Sequence, residues 1–457
     1  MSAKRILVDG RFVGVGDSVS RATLETLKAV LKLDKENKYT LLVRPQGEKV
    51  AREFFDNIKV QNPNIKQKSE AQISNDKISH SDLGFRNLRL QTLDIPHYSL
   101  KEQTALLRYL NRERFDLVHF MQFNHPVRYR GKFVVNILDL TLFGHLYRKN
   151  KIKGLAFNAV MKSAVKNSAK IITISNTTKK DIMETYGIDS KKIDVTYLGV
   201  DHKYNASLRS QISKLEGIKH KYKISGDYIL YTGMWKRHKN ILRMLEAFKK
   251  SGVQKSKSPK VQLVLVGKID KNEPEVMETI KKINNSLRHP VPSSRHSERN
   301  EESVNNRHPE PNSVIPAKAG IQTESSEYGL QTAGYDPAIL AVGFVDEADL
   351  PYLYAGALAY IIPSLSEGFG LPPLEAMACG TPVISSDVSA MPEILGDAPL
   401  YFDPYSVDSI AKAMSKVVSD EKLRNQLSKK GLKQAKKYSW AETGRGTLEV
   451  YKEVLGL

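Results

Sequence analysis

The run from Ala359 to Ile384, AYIIPSLSEGFGLPPLEAMACGTPVI, restricts the fold more than any other stretch of this 457-residue chain. Tyr360-Ile361-Ile362 is a short apolar run that reads as a buried strand, and Pro363-Ser364 breaks it into a loop carrying Glu367-Gly368-Phe369-Gly370-Leu371. Pro372-Pro373 suits the first positions of a helix, Leu374 to Cys379 continues it, and Gly380 is placed to stop it before the strand Pro382-Val383-Ile384. A buried strand, a helix and a second buried strand in direct succession belong to an α/β layer with helices covering a parallel sheet.

The loop between them has chemical content. Glycines on both sides of Phe369 let the backbone approach a ligand closely, and the loop empties onto a helix start, where free N–H groups favour an anion such as phosphate. Glu367 falls in the loop and Glu375 in the first turn or two of the helix. Two carboxylates beside a phosphate site are reconciled by a sugar nucleotide, whose hydroxyls pair with carboxylates while backbone amides take its phosphates. The alternative reading of the bare spacing is a turn followed by a cap.

The longer segment SEGFGLPPLEAMACGTPVISSDVSAMPEILGDAPLYFDP, with Gly343-Phe344-Val345 and LPYLYAGALAYIIPS upstream, closely resembles the donor-binding region of the retaining GT-B glycosyltransferases of family 4, also called group 1, in their bacterial mannosyltransferase-like branch. The resemblance implies an α/β GT-B fold, two Rossmann-like doubly wound domains facing across a cleft. It further implies that Glu367 faces the donor sugar, that Glu375 binds the ribose hydroxyls, and that Gly368, Phe369, Gly370 and Leu371 border the donor. The expected organisation is a first domain over 1–204, a linker over 205–225, a nucleotide-sugar domain over 226–437, and a last helix, 438–457, crossing back to the first domain.

The N-terminal stretch fits this. Lys4 to Val8 reads as a strand, Gly14-Val15-Gly16-Asp17 as a glycine loop, Val19 to Leu33 as a helix and Tyr39 to Val43 as the next strand. The loop does not match the dinucleotide fingerprint, so no NAD site is expected, but Gly16 is expected on the donor side. Residues 61–96 are polar and aperiodic and read as a long loop with short pieces of structure. The segment from Tyr98 to Leu140 resembles the family's first domain, which places the acceptor side at Asn124 and Asp139. Relatives usually carry a histidine where this chain has Leu138; Asn136, His119 and His125 are the residues that could replace it.

A basic helix ending at Ala164 to Lys170 carries Ile152, Leu155, Ala156, Ala159 and Val160 on one face, for a membrane or, better, for packing on the first sheet. In the second half, Tyr228 to Gly233 is a strand entering a glycine turn, with Gly233 expected beside the donor. The resemblance gives Lys239 the lysine that contacts the donor phosphates and leaves Arg237 as the second cation. Glu367, Lys239 and Arg237 are therefore the expected catalytic set. After the helix Glu273 to Asn284 the pattern collapses: residues 286–335 are rich in proline, serine and charge, and read as a disordered in-frame insertion with five Lys or Arg against six Glu.

Bulk properties narrow the function classes. No apolar run reaches the roughly 18 residues of a membrane span, and MSAKRILVDG enters a strand without a signal-peptide core, so a cytoplasmic protein is expected. The lone cysteine, Cys379, excludes a disulfide framework. With no Asp-x-Asp pair and no histidine ligand pattern, neither a metal nor a cofactor is expected; the nucleotide-sugar donor, GDP- or UDP-linked, is a substrate. The net charge of +20 is spread over predicted helices without a basic tail or aromatic platform, which argues against nucleic acid and for solvated faces or an anionic bilayer. The expected activity is metal-independent, retaining hexosyl transfer, mannose-like, from a nucleotide sugar to a glycan or lipid-linked oligosaccharide in cell-surface polysaccharide synthesis. An impaired sugar-nucleotide-binding protein and a GT-B-fold epimerase are the alternatives.

Overall fold

A computed structural model of the chain describes residues 2–15, 18–60, 85–140, 151–255, 261–268, 270, 273–287 and 337–457. The expected insertion, apart from its first two residues, and Gly16 lie outside the described residues. The strands β1 (Arg5–Asp9), β2 (Lys38–Val43), β3 (Leu88–Thr92), β4 (Leu117–Phe120), β5 (Phe133–Asn136), β6 (Lys170–Thr173) and β7 (Ile193–Val195) form one sheet, ordered β3-β2-β1-β4-β5-β6-β7. A second sheet, ordered β10-β9-β8-β11-β12-β13, contains β8 (Asp227–Thr232), β9 (Val261–Val266), β10 (Ile339–Gly343), β11 (Ala359–Ile362), β12 (Val383–Ser386) and β13 (Leu400–Phe402).

All pairings are parallel, with Val8 opposite His119 in the first sheet and Tyr360 opposite Leu230 in the second. Both sheets are covered on both faces, which is why their strands are continuously apolar rather than alternating. In β8, Ile229 and Tyr231 join Leu263, Leu265 and Ile361 in one core, while Tyr228 and Leu230 join Val264, Tyr360 and Ile362 in the other. Strand order reverses between β1 and β4 and again between β8 and β11, so each sheet has a crevice at its carboxyl edge.

The last helix, Trp440–Leu455, lies along the first-domain helix Ser18–Leu33. Gly444 permits this approach, since a Cβ there would come within 2.6 Å of the Ala29 Cβ. Tyr451 on the same helix reaches the fully buried His119 of β4 at 2.6 Å.

Several local expectations need refinement. Residues expected as linker hold a 3-10 turn, Ala206–Ser210, and a helix, Ile212–Lys221, whose Leu215 and Ile218 pack with Tyr228 in the second core. Helix Lys151–Asn167 buries Phe157, Met161, Ala164 and Val165 and leaves Leu155, Ala156 and Ala159 exposed, so the packed face is not the expected one. The larger side chains select that face because they bury more apolar area per residue. Helix Pro45–Val60 and the edge strand β3, LRLQT, escape a reading by apolar runs because both are largely polar.

Candidate functional site

At the crevice of the second sheet, two loops leave β8 and β11 side by side. The Leu365 N–H donates to the His238 carbonyl at 2.8 Å, and Asn240 Nδ2 donates to the carbonyls of Pro363 at 3.1 Å and Pro404 at 2.7 Å. Asn240 adopts φ +59°, a left-handed conformation that asparagine tolerates better than most residues, and its buried side chain staples the loops. Gly233 belongs to the same scaffold: its N–H donates to the Val266 carbonyl at 3.0 Å, and a Cβ on neighbouring Gly267 would lie 2.0 Å from the Gly233 carbonyl oxygen.

This stapling brings Lys239 Nζ to Glu367 Oε1 at 2.6 Å, and the Ser364 hydroxyl donates to the same oxygen at 2.7 Å. Ser389 fixes the Glu367 backbone, accepting from its N–H at 3.1 Å and donating to its carbonyl at 2.9 Å. Burial pushes the Glu367 carboxyl up, but the Lys239 charge and hydrogen bond, the Ser364 hydroxyl and the charge of His238 together hold it below the usual carboxylate range. Arg237 is exposed and its charge acts on Glu273; no ion pair or hydrogen bond joins it to Glu367 among the described residues. Of the two residues that precede Lys239, His238 and not Arg237 acts electrostatically on Glu367.

The Glu367–Leu371 loop continues toward Glu375. Among the described residues, no protein acceptor takes the N–H groups of Gly368, Phe369, Gly370 or Leu371. Pro372 and Pro373 remove two donors from the helix Leu371–Ala378, so its capacity for an anion rests on the loop amides rather than on a full helix start. Gly370 has φ +97°, and a Cβ there would strike Met391 Cε at 2.6 Å. Phe369 is buried edge-on against Tyr438, with ring centroids 5.6 Å apart, and its ring anchors the loop.

Glu375 is only 2% exposed. Its Oε1 accepts from Arg21 Nη1, and its Oε2 accepts from the Tyr354 hydroxyl at 3.1 Å. Tyr354 is itself held by Thr232 Oγ1 at 2.8 Å, which ties the Glu375 helix back to the end of β8. Arg21 comes from helix Ser18–Leu33, so this ion pair joins the two domains. Sequence reasoning misses Arg21, Tyr354 and Asn240, whose partners lie far away in the chain.

The first domain meets the same loop. An added Cβ on Gly368 would lie 2.4 Å from the Leu138 carbonyl oxygen and 3.2 Å from the Asp139 Cβ, so Leu138 and Asp139 border the Glu367–Leu371 loop directly. Asn124 is buried at the end of β4, with Oδ1 unpartnered among the described residues. The candidates to replace the absent histidine are otherwise engaged. His119 Nε2 faces Asn136 Oδ1 at 2.8 Å and its Nδ1 faces the Tyr451 hydroxyl, while His125 bonds the Phe123 carbonyl at 3.0 Å and Ser163 Oγ at 3.1 Å. Burial pushes the His119 imidazole down to about 4. A further interdomain contact comes from Glu393, whose carboxylate accepts from the Asn176 N–H at 2.6 Å and the Thr177 N–H at 2.8 Å, at the start of helix Asn176–Tyr186.

The chain is similar to known proteins in sequence and in fold. The family model for glycosyl transferases group 1 matches residues 308–434, and that for glycosyltransferase family 4 matches residues 78–204. O-antigen chain mannosyltransferase B of Escherichia coli is 27% identical over 402 residues, 87% of this chain and 88% of that protein. O-antigen chain mannosyltransferase RfbU of Salmonella typhimurium is 27% identical over 314 residues, 68% of this chain and 67% of its own length. In fold, the chain superposes on Anabaena HepE, solved in complex with UDP-glucose, with a TM-score of 0.64 at 13% identity, covering 98% of this chain and 100% of that one. A family match on each side of the cleft, a relative covered over 88% of its length and the two sheets agree: the chain belongs to the family 4, group 1 glycosyltransferases and has the GT-B fold.

Proposed function

We propose that this glycosyltransferase moves a hexose, mannose-like, from a GDP- or UDP-linked donor to a glycan or lipid-linked oligosaccharide in cell-surface polysaccharide synthesis, with retention of anomeric configuration. The observation that carries the reading is the Lys239–Glu367 pair at 2.6 Å, set where the second sheet's strand order reverses and followed by four loop amides that no acceptor among the described residues engages. As the bond from the anomeric carbon to the diphosphate breaks, positive charge develops on the sugar and negative charge on the departing phosphate. Lys239 and the amides of Gly368 to Leu371 are placed to stabilise the leaving group, and the Glu367 carboxylate, kept ionised by Lys239, orients the sugar.

The acceptor enters from the first domain, along Asn124 and Asp139. Cytoplasmic residence with peripheral contact to an anionic bilayer suits this acceptor class. Among the described residues no helix is long and apolar enough to cross a membrane, whereas Tyr98, Leu100 and Leu155 stand exposed on the first domain of a chain with net charge +20.

The test is transfer from a panel of UDP-, GDP- and dTDP-hexoses to lipid-linked oligosaccharide acceptors, with the new linkage assigned by NMR. An α-linked product from one α-linked donor supports the proposal. A β-linked product would refute retention, and release of free hexose without transfer would refute the acceptor assignment.

A further inference from the structure

Arg21 reaches Glu375 from the opposite domain. Its guanidinium lies over the Tyr204 ring, 5.4 Å from the centroid, and Nη1 bonds Glu375 Oε1. Its other terminal nitrogen, Nη2, is buried and has no hydrogen-bond partner among the described residues. An unpaired N–H on a buried guanidinium is costly, and its partner is to be sought in something that binds there. Lys203 does not compete for that role, since its Nζ pairs with Glu347 at 2.5 Å.

The chemistry of the pair is complementary. Each Glu375 oxygen carries one bond, from Arg21 or from Tyr354, and each retains a further lone pair. The carboxylate can only accept, and the guanidinium can only donate. A hydroxyl does both, so a vicinal diol satisfies the two groups together where a phosphate or an apolar surface would satisfy one at most.

We propose that Arg21 is a specificity-determining residue for the donor nucleotide. Glu375 accepts from the ribose hydroxyls while Arg21 Nη2 donates to one of the same oxygens, so the pair reads the 2′,3′-diol and rejects 2′-deoxyribose. Both groups are covered in this structure, so the first domain draws back to admit the nucleotide and completes the diol site as it closes. The inference rests on the assignment of Glu375 to ribose and adds a residue from the other domain to it.

The experiment is calorimetric titration of the full chain with GDP, UDP and their 2′-deoxy counterparts, using wild type, Arg21→Met, Arg21→Lys and Glu375→Gln. Wild type should bind one ribonucleotide at least about tenfold more tightly than its 2′-deoxy form. Arg21→Met should weaken the ribonucleotide by about as much while leaving the 2′-deoxy form nearly unchanged, so that the ratio falls toward one. Arg21→Lys, which keeps charge but loses the fork, should fall between, and a measured dissociation constant in each variant shows that it is folded.

Equal weakening of both nucleotides by Arg21→Met would reduce Arg21 to packing and overturn the proposal. Tighter binding of both would overturn it too, by showing that Arg21 only competes for Glu375. If wild type binds neither nucleoside diphosphate, the donor-site reading itself fails, a result distinct from either of these.

Discussion

Gly368→Ala tests whether the domains meet during turnover as they do here. Gly368 needs no unusual backbone angle, so the substitution acts through contact alone. The new methyl would sit 2.4 Å from the Leu138 carbonyl oxygen, about 1 Å inside ordinary contact, and 3.2 Å from the Asp139 Cβ. The carbonyl cannot easily give way, because the Thr178 hydroxyl donates to it at 3.3 Å and the preceding Ile137 N–H is held by the Ile172 carbonyl at 3.0 Å just past β5. Relief comes from widening the cleft by about 1 Å at the residue next to Glu367. A displacement of that size at a reacting centre costs about 100-fold in rate. Nucleoside diphosphate affinity should fall by no more than about tenfold, because Lys239 and Glu375 stay on the undisturbed second domain and only the contribution of Arg21 crosses the widened cleft, and the melting temperature should hold within about 3 °C, since no core packing is altered. Transfer kinetics, calorimetry and a thermal melt on one preparation separate these effects. Wild-type turnover in Gly368→Ala would refute the reasoning, because it would mean that the reactive state never brings Leu138 against the donor loop.

Three further outcomes are expected. Lys239→Met should lower transfer by about 100- to 1000-fold, the scale for losing one preorganised group at a developing negative charge, and a rate within tenfold of wild type would remove Lys239 from the mechanism. His119 is held neutral by burial, with its folded pKa near 4 against an ordinary 6.5, so its contribution is fully present above pH 6.5 and is lost as pH falls toward 4. At pH 5 that loss is about 2 kcal/mol, and urea titrations at pH 8 and pH 5 should show a smaller pH effect in His119→Gln; equal pH effects in both proteins would contradict the assignment. Glu393→Gln should weaken the second domain's hold on helix Asn176–Tyr186 by about 0.5–2 kcal/mol and speed amide exchange at Asn176 and Thr177, whereas unchanged exchange would show that this contact does not hold the cleft.

The parts of this molecule that are legible in its sequence are those where chain geometry is set within a few residues. Pro363, Gly368, Gly370, Pro372 and Gly380 punctuate one strand–loop–helix unit so closely that the helix Leu371–Ala378 and the loop position of Glu367 follow from local rules. Lys239 is legible in another way: the turn after β8 places several basic side chains at the crevice beside β11, and only the family resemblance singles out this one. The choice between Arg237 and His238 is not, since a 3-10 turn rotates successive side chains by about a third of a circle and only the staple from Asn240 sets its orientation. The buried face of helix Lys151–Asn167 fails for a different reason: counting every apolar residue alike gives Ala156 and Ala159 the weight of Phe157 and Met161, although their burial is worth far less.

Arg21 marks the boundary of what local reading can reach. Its helix is recognisable, but nothing within the surrounding residues distinguishes it from the other basic side chains of a chain with 70 Lys and Arg. Its meaning comes from Glu375, 354 residues away, and from a domain closure that sequence spacing does not encode. The residues that bind within one domain can be read from punctuation and periodicity because they inherit their positions from a single sheet edge. Those that act across the cleft, Arg21, Leu138 and Glu393, become visible only when the two sheets are brought together. A glycosyltransferase that must exclude water while joining two substrates depends on that second group. The single mutations most informative about its mechanism therefore lie at Arg21, Gly368 and Glu393, the contacts between the domains, rather than within either core.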